Sequence, residues 1–191
     1  MKRSRDAARR ARRVRLLVLD VDGVLTDGRM VISERGDELK FFHTHDGMGI
    51  NLARRSGIIV ALVTGEKSPI AQARGARLGV EDVVLGARRK GETLVELMTK
   101  HGVRADEVAF MGDDLLDLPA LARAGLAVAP ANAVAEVRAM AHVVTRAGGG
   151  AGAVRECVEM ILRAQGRWRD AVRAFVRESG GTARAAGIVA R

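Results

Sequence analysis

The chain has no tyrosine, one tryptophan, one cysteine, three prolines and four phenylalanines among its 191 residues. With so few rings, the interior must be built from aliphatic side chains, and 48% hydrophobic residues suffice for a sizeable core. The lone Cys157 excludes an internal disulfide framework and fits a reducing cytoplasm. No run approaches the roughly 20 apolar residues that a membrane-crossing helix needs. The arginine-rich start is not followed by the apolar stretch of a secretory signal, so no membrane partner is expected. Aromatics interleaved with the basic residues are also missing, which speaks against nucleic acid as a partner.

What is abundant is arginine, at the two ends. The first fifteen residues carry eight basic residues against one acid, and the segment from Arg163 onward carries seven against two. Out of a total of +9, this leaves the body between them at −3. Residues 1–13 read as a basic, flexible arm and 14–166 as the folded unit. Residues 167–191 read as a basic tail, helical at RWRDAVRAFV and disordered beyond it.

Within the body, VRLLVLD, GIIVALVT, EDVVLG, EVAFMGDD, GLAVAP and AHVVT are short runs rich in Val, Ile and Leu. They lack polar alternation, as strands covered on both faces do. Helical patterns separate them, among them MGINLARRS, SPIAQARGARLG, RRKGETLVELMTKHG and GAVRECVEMILRAQG, several closing on a C-capping glycine. The alternation predicts an α/β fold with a doubly wound, mainly parallel sheet. RMVISERGDELKFFH breaks the rhythm. Two β-like runs around ERGD predict a β-hairpin inserted after strand one, a flap over about 28–44.

Ligands of such sheets bind beyond the carboxyl ends of the strands. Strand one ends in Asp20 with Asp22 two residues on, strand two in Thr64-Gly65, and strand four in Asp113-Asp114 with Asp117 one helical turn later; Lys90 opens the helix after strand three. Two acids at i and i+2 on an apolar run repel each other and lose solvation together unless a positive charge joins them. Asp20 and Asp113 can supply hard oxygens to a magnesium ion. Asp20 can attack phosphorus, and Asp22 can protonate a leaving alkoxide and then activate water. Thr64 and the amides near it can hold phosphate oxygens, while Lys90 neutralises charge on phosphate and on Asp20. Asp114 reads as a helix cap. Asp117 is open between support of the site and solvent. GGGAGA, Gly148 to Ala153, is too irregular for a dinucleotide fingerprint and reads as a flexible loop.

DVDGVLTDG, VTG, Lys90 and GDDLLD, in this order after successive strands, resemble the four motifs of haloacid dehalogenase-type phosphatases. The hairpin, HDGMGI, MGDDLLDLP, NAVAEVR and TRAGGGAGAVRE are similar to the 3-deoxy-D-manno-octulosonate 8-phosphate phosphatases and their relatives, over roughly Val14 to Gly166. The resemblance implies magnesium-dependent release of phosphate from a phosphorylated sugar acid. It implies Asp20, Asp22 (through its backbone carbonyl) and Asp113 as metal ligands, and a homotetramer joined through the hairpins. An eight-carbon product would feed lipopolysaccharide synthesis. The chain departs from the octulosonate pattern after strand two, where TGEK stands for TGR. Glu66 there resembles relatives acting on nine-carbon 2-keto-3-deoxy acid 9-phosphates, in which this glutamate and basic residues matching Arg74 and Arg77 contact the sugar acid. Two other classes stay open on the residues alone. One is a phospho-accepting signalling domain, although the second acid at i+2 argues for hydrolysis. The other is a binding protein acting through its basic ends.

Overall fold

The computed structural model describes residues 2–36 and 38–182. In chain order the main elements are α1 (Lys2–Ala11), β1 (Leu16–Leu19), β2 (Val31–Ile32), β3 (Glu38–Leu39), α2 (Thr44–Arg55) and β4 (Ile59–Val63). They continue with α3 (Pro69–Leu78), β5 (Asp82–Val84), α4 (Lys90–His101), β6 (Val108–Met111), α5 (Leu118–Leu121) and β7 (Leu126–Ala129). The chain closes with α6 (Ala135–Met140), β8 (Val143–Val144), α7 (Ala153–Ala164) and α8 (Trp168–Glu178).

The six apolar runs all become strands of one parallel sheet, ordered β5-β4-β1-β6-β7-β8. Along β1 the side chains alternate between two cores, as the strand pleat requires. Leu17 and Leu19 face a layer that includes Ile50 of α2, Ala71 of α3, and Val158 and Ile161 of α7. Leu16 and Val18 face Leu94 of α4, Leu121 of α5 and Val137 of α6. A sheet covered on both faces has no polar alternation to show, hence the unbroken apolar runs. The chain first turns from β1 to β4 on one side and later reaches β6 on the other, so the winding reverses between β1 and β6. The expected hairpin forms as well, β2 pairing antiparallel with β3.

The basic N-terminal end departs from expectation. The first residues form a helix docked on the body rather than a flexible arm, with Ala7, Ala11 and Val14 buried. Arg9 and Arg10 reach Asp6 within the helix at 2.6 and 2.7 Å, and Arg13, just beyond it, reaches Asp106 at 3.0 Å. Small alanines let a highly charged helix lie close to α7 without burying charge. At the other end α8 is helical as expected, but it is held to the body. Trp168 is buried beneath two guanidinium groups, Arg155 at 4.9 Å and Arg163 at 5.4 Å from its ring centre. Most of the segment expected to be disordered, 183–191, lies outside the described residues. Among the described residues, no helix is long and apolar enough to cross a membrane.

Candidate active site

Asp20 and Asp113 flank the winding reversal at the carboxyl edge. The amide of Asp20 donates to the carbonyl of Met111 at 3.0 Å, which extends the β1–β6 ladder by one residue and fixes where the carboxylate leaves the sheet. The chain then folds into a tight loop, in which the buried Thr26 hydroxyl accepts from the amides of Gly23 and Gly28, each at 3.2 Å. Gly23 has φ +85°, and a Cβ there would fall 2.0 Å from Oδ2 of Asp113. The glycine of the DxDG run thus makes room for the acid of the fourth strand.

Carboxylate oxygens of Asp20, Asp113 and Asp117 lie within 4.8 Å of one another. Lys90, almost fully buried at the start of α4, bridges two of them, at 2.8 Å to Asp20 and 2.6 Å to Asp117. Asp117 is buried, not solvated. Its second oxygen accepts from the amides of Asp113 at 2.9 Å and Asp114 at 3.2 Å, so it braces both Lys90 and the loop after β6. Asp114 caps the turn that follows, accepting from the amide of Leu115 at 2.7 Å.

One lysine does not balance this charge. Burial, reinforced by Asp117 and Asp114, pushes the Asp113 carboxyl up to about 7. Burial and the Asp117 carboxylate likewise raise Asp20 well above the ordinary value, against the pull of Lys90. Lys90 is held above the usual lysine value: burial works against its charge, but Asp20 and Asp117 outweigh it. The buried Oδ1 of Asp113 has no hydrogen-bond partner. A buried carboxylate oxygen without a donor, beside two further carboxylates and a space kept clear by Gly23, fits a small hard divalent cation.

Asp22 has a different environment. Its carboxylate does not join the trio; Oδ2 accepts from the Thr64 hydroxyl at 3.2 Å, and Oδ1 accepts from Lys40. Of the expected ligand set, Asp20 and Asp113 bring their carboxylates together, Asp22 is expected through its backbone carbonyl and not its carboxylate, and Asp117 adds a third carboxylate beside them. Thr64 is buried at the end of β4 and also accepts from the amide of Glu66 at 3.1 Å, while the Glu66 residue is exposed beyond Gly65. Arg74 and Arg77 are not brought to the carboxylates. Arg74 stacks on Phe42 at 5.1 Å, and Arg77 is exposed.

Three features escape a reading of the sequence. Lys40 comes from the hairpin with a side chain only 1% exposed and touches both Asp22 and, at 3.0 Å, Glu38. The glycine-rich segment packs closely on the Asp20–Gly28 loop, with Gly150 donating to the carbonyl of Val24 at 3.0 Å. Asn132 ties the two together, its Oδ1 accepting from the amide of Gly149 at 2.6 Å and its Nδ2 reaching the carbonyl of Gly23 at 3.4 Å. Only the apolar residues flanking Lys40 could have hinted at the first.

Comparison with known proteins agrees with this geometry. A family profile described as haloacid dehalogenase-like hydrolase matches residues 78–152. The chain is 42% identical over 168 residues to 3-deoxy-D-manno-octulosonate 8-phosphate phosphatase KdsC of Escherichia coli K12, covering 88% of this chain and 89% of that protein. It superimposes on the Moraxella catarrhalis phosphatase of the same name, solved with magnesium ion, phosphate ion and a KDO molecule. The TM-score is 0.87 at 36% identity, over 89% of this chain and 98% of that one. The cobalt-bound Haemophilus influenzae enzyme gives a TM-score of 0.81 at 39% identity, over 84% and 94% of the two chains.

Proposed function

The chain belongs to the family of 3-deoxy-D-manno-octulosonate 8-phosphate phosphatases, haloacid dehalogenase-like hydrolases, and on that premise we propose that it releases phosphate from this eight-carbon sugar acid at the site around Asp20. The observation that carries the reading is the unpartnered, buried Oδ1 of Asp113 beside the carboxylates of Asp20 and Asp117. A magnesium ion would be held by Asp20 and Asp113, with the backbone carbonyl of Asp22 as a third protein ligand. When bound, it supplies positive charge to the phosphate oxygens and to the crowded acids.

In this reading an oxygen of Asp20 attacks phosphorus and forms an aspartyl-phosphate as the bond from phosphorus to the sugar oxygen breaks. Asp22 gives its proton to the departing alkoxide. It then takes a proton from the water that attacks the aspartyl-phosphate, which frees phosphate and restores Asp20. Lys90 holds Asp20 by an ion pair and offers charge to the phosphate. Thr64, by donating to Asp22, keeps the acid/base beside the end of β4. Turnover in two steps needs both acids, and the separate surroundings of Asp20 and Asp22 support separate roles for them.

The nine-carbon alternative rests on one observation, that Glu66 lies exposed just beyond Thr64, where a sugar tail would pass. The hairpin supports a tetramer. Val31, Ile32, Leu39 and Phe41 are 43%, 67%, 60% and 71% exposed on a two-stranded flap, an apolar surface suited to other copies of the chain. A single buried cysteine without a disulfide is consistent with the cytoplasm.

The test is phosphate release, with magnesium, from octulosonate 8-phosphate and from nonulosonate 9-phosphates. The eight-carbon ester should give the higher kcat/KM, and Asp20→Asn should abolish the activity. A preference for a nine-carbon ester would reassign the substrate. An unchanged rate in Asp20→Asn would overturn the site.

A further inference from the structure

Lys40 is an unusual lysine. The strand period points Glu38 and Lys40 toward the site and Leu39 and Phe41, both well exposed, away from it. This edge of the flap therefore turns two charges inward and its apolar residues outward, the reverse of an ordinary surface strand. A lysine with 1% of its side chain exposed is tolerated only when paired, and Lys40 is paired with Asp22 and Glu38. Stability alone is a weak reason for such a pair, because desolvation offsets most of the Coulombic gain.

Where the bonds lead is more informative. The two oxygens of Asp22 are held from two parts of the chain, Oδ1 by Lys40 from the flap and Oδ2 by Thr64 from the end of β4. Glu38, which also binds Lys40, accepts from the hydroxyl of Ser68 at 3.3 Å, at the start of α3. Flap, Asp22 and the segment from Thr64 to Ser68 thus form one closed set of bonds. If the flap lifted, Asp22 would lose a donor and its carboxyl could rotate. A misplacement of about 1 Å in a reacting group can cost on the order of 100-fold in rate.

We propose that Lys40 is the positioning residue for Asp22, so that seating of the hairpin aims the acid/base at the leaving oxygen. The inference rests on the phosphatase reading above and adds a part to it. Lys40 itself touches neither nucleophile nor phosphate in this scheme; it acts through Asp22.

The test compares two esters on the full chain with magnesium. A sugar-acid phosphate leaves as an alkoxide that needs a proton, whereas 4-nitrophenyl phosphate leaves as a stable anion that needs none. kcat/KM reports events up to transfer of the phosphoryl group, so it isolates the step at which the proton is given. Lys40→Met should lower kcat/KM for the sugar-acid phosphate about 30–100-fold, toward the lower range of general acid contributions, and that for the nitrophenyl ester less than about 3-fold. Lys40→Arg should recover most of the difference. The ratio of the two constants does not depend on how much of the variant is folded, so a loss of folded protein cannot imitate the result. If the wild type hydrolyses both esters and Lys40→Met lowers both by one common factor, or neither, the role of Lys40 is overturned alone. A wild type inert on both overturns the phosphatase reading with it.

Discussion

The α-carbon of Gly23 faces the carboxylate of Asp113 so closely that one added methyl group would lie 2.0 Å from Oδ2. Gly23→Ala would meet this contact and also a φ of +85°, which by itself costs an L side chain about 1–2 kcal/mol. The variant should lose at least about 100-fold in kcat/KM, consistent with misplacement of a reacting group. Magnesium should raise the melting temperature of the wild type, and the variant should lose that rise. Calorimetry with and without the ion checks both, and a magnesium response of normal size would contradict the crowding.

Removal of Asp117 strips Lys90 of one of its two carboxylates and leaves the amides of Asp113 and Asp114 without their acceptor. Asp117→Ala should destabilise the fold by about 3 kcal/mol, the scale of a broken buried pair. Asp117→Asn, which can still accept from the amides, should cost less. Urea unfolding of the two variants would show that order or its reverse.

The raised pKa of Asp113 gives stability a pH dependence of definite sign. Its folded value of about 7 exceeds the ordinary 3.8, so between these values the folded chain keeps a proton that the unfolded chain has released. The resulting stabilisation is complete below the lower value and is gone once the pH passes the upper one. The metal-free protein should therefore lose this contribution as the pH rises from about 4 to about 7, and Asp113→Asn should flatten that part of the profile. Magnesium competes with the same proton, so its stabilising shift should be larger at pH 8 than at pH 6. Equal shifts at the two pH values would contradict the assignment.

A Cβ at Gly149 would sit 1.8 Å from the carbonyl oxygen of Gly23, whereas one at Gly148 would meet only the side chain of Asn132, at 3.2 Å. Gly149→Ala should therefore abolish activity by pushing the Asp20–Gly28 loop aside, and Gly148→Ala should keep most of it. Steady-state rates for the pair decide this. Similar losses in both would mean the segment acts otherwise than by contact with Gly23.

Ile32→Ser with Phe41→Ser removes the two most exposed apolar side chains of the flap. Light scattering should show a smaller assembly at micromolar concentration. An unchanged particle mass would place the subunit contacts elsewhere.

The sheet was legible in the chain because strands buried on both faces need uninterrupted apolar runs, and all six runs became strands. Their lateral order was not written in any run, since it depends on which side each crossover takes. α1 stayed hidden for a related reason. Its buried face consists of Ala7 and Ala11, which add little to a hydrophobic pattern beneath so many arginines. At the site, Asp20, Thr64, Lys90 and Asp113 could be found because each follows a strand or opens a helix. Asp117 needed the structure, since one helical turn leaves the direction of its carboxylate open. Lys40 and Asn132 lie on segments whose faces are set by distant partners; apolar neighbours hint at Lys40 alone, and nothing local distinguishes Asn132 from a surface residue.

Trp168, wedged under Arg155 and Arg163, is also the chain's only indole, with no phenol elsewhere to share the near-ultraviolet band. Its fluorescence is thus a private signal from the seam between α7 and α8. α7 begins with amide groups of Gly152 and Arg155 bound to Asp46, just past the glycine-rich segment. Emission shifts on titration with magnesium or substrate would reveal strain passing from the catalytic loop along α7, across the body of the molecule, without any attached dye.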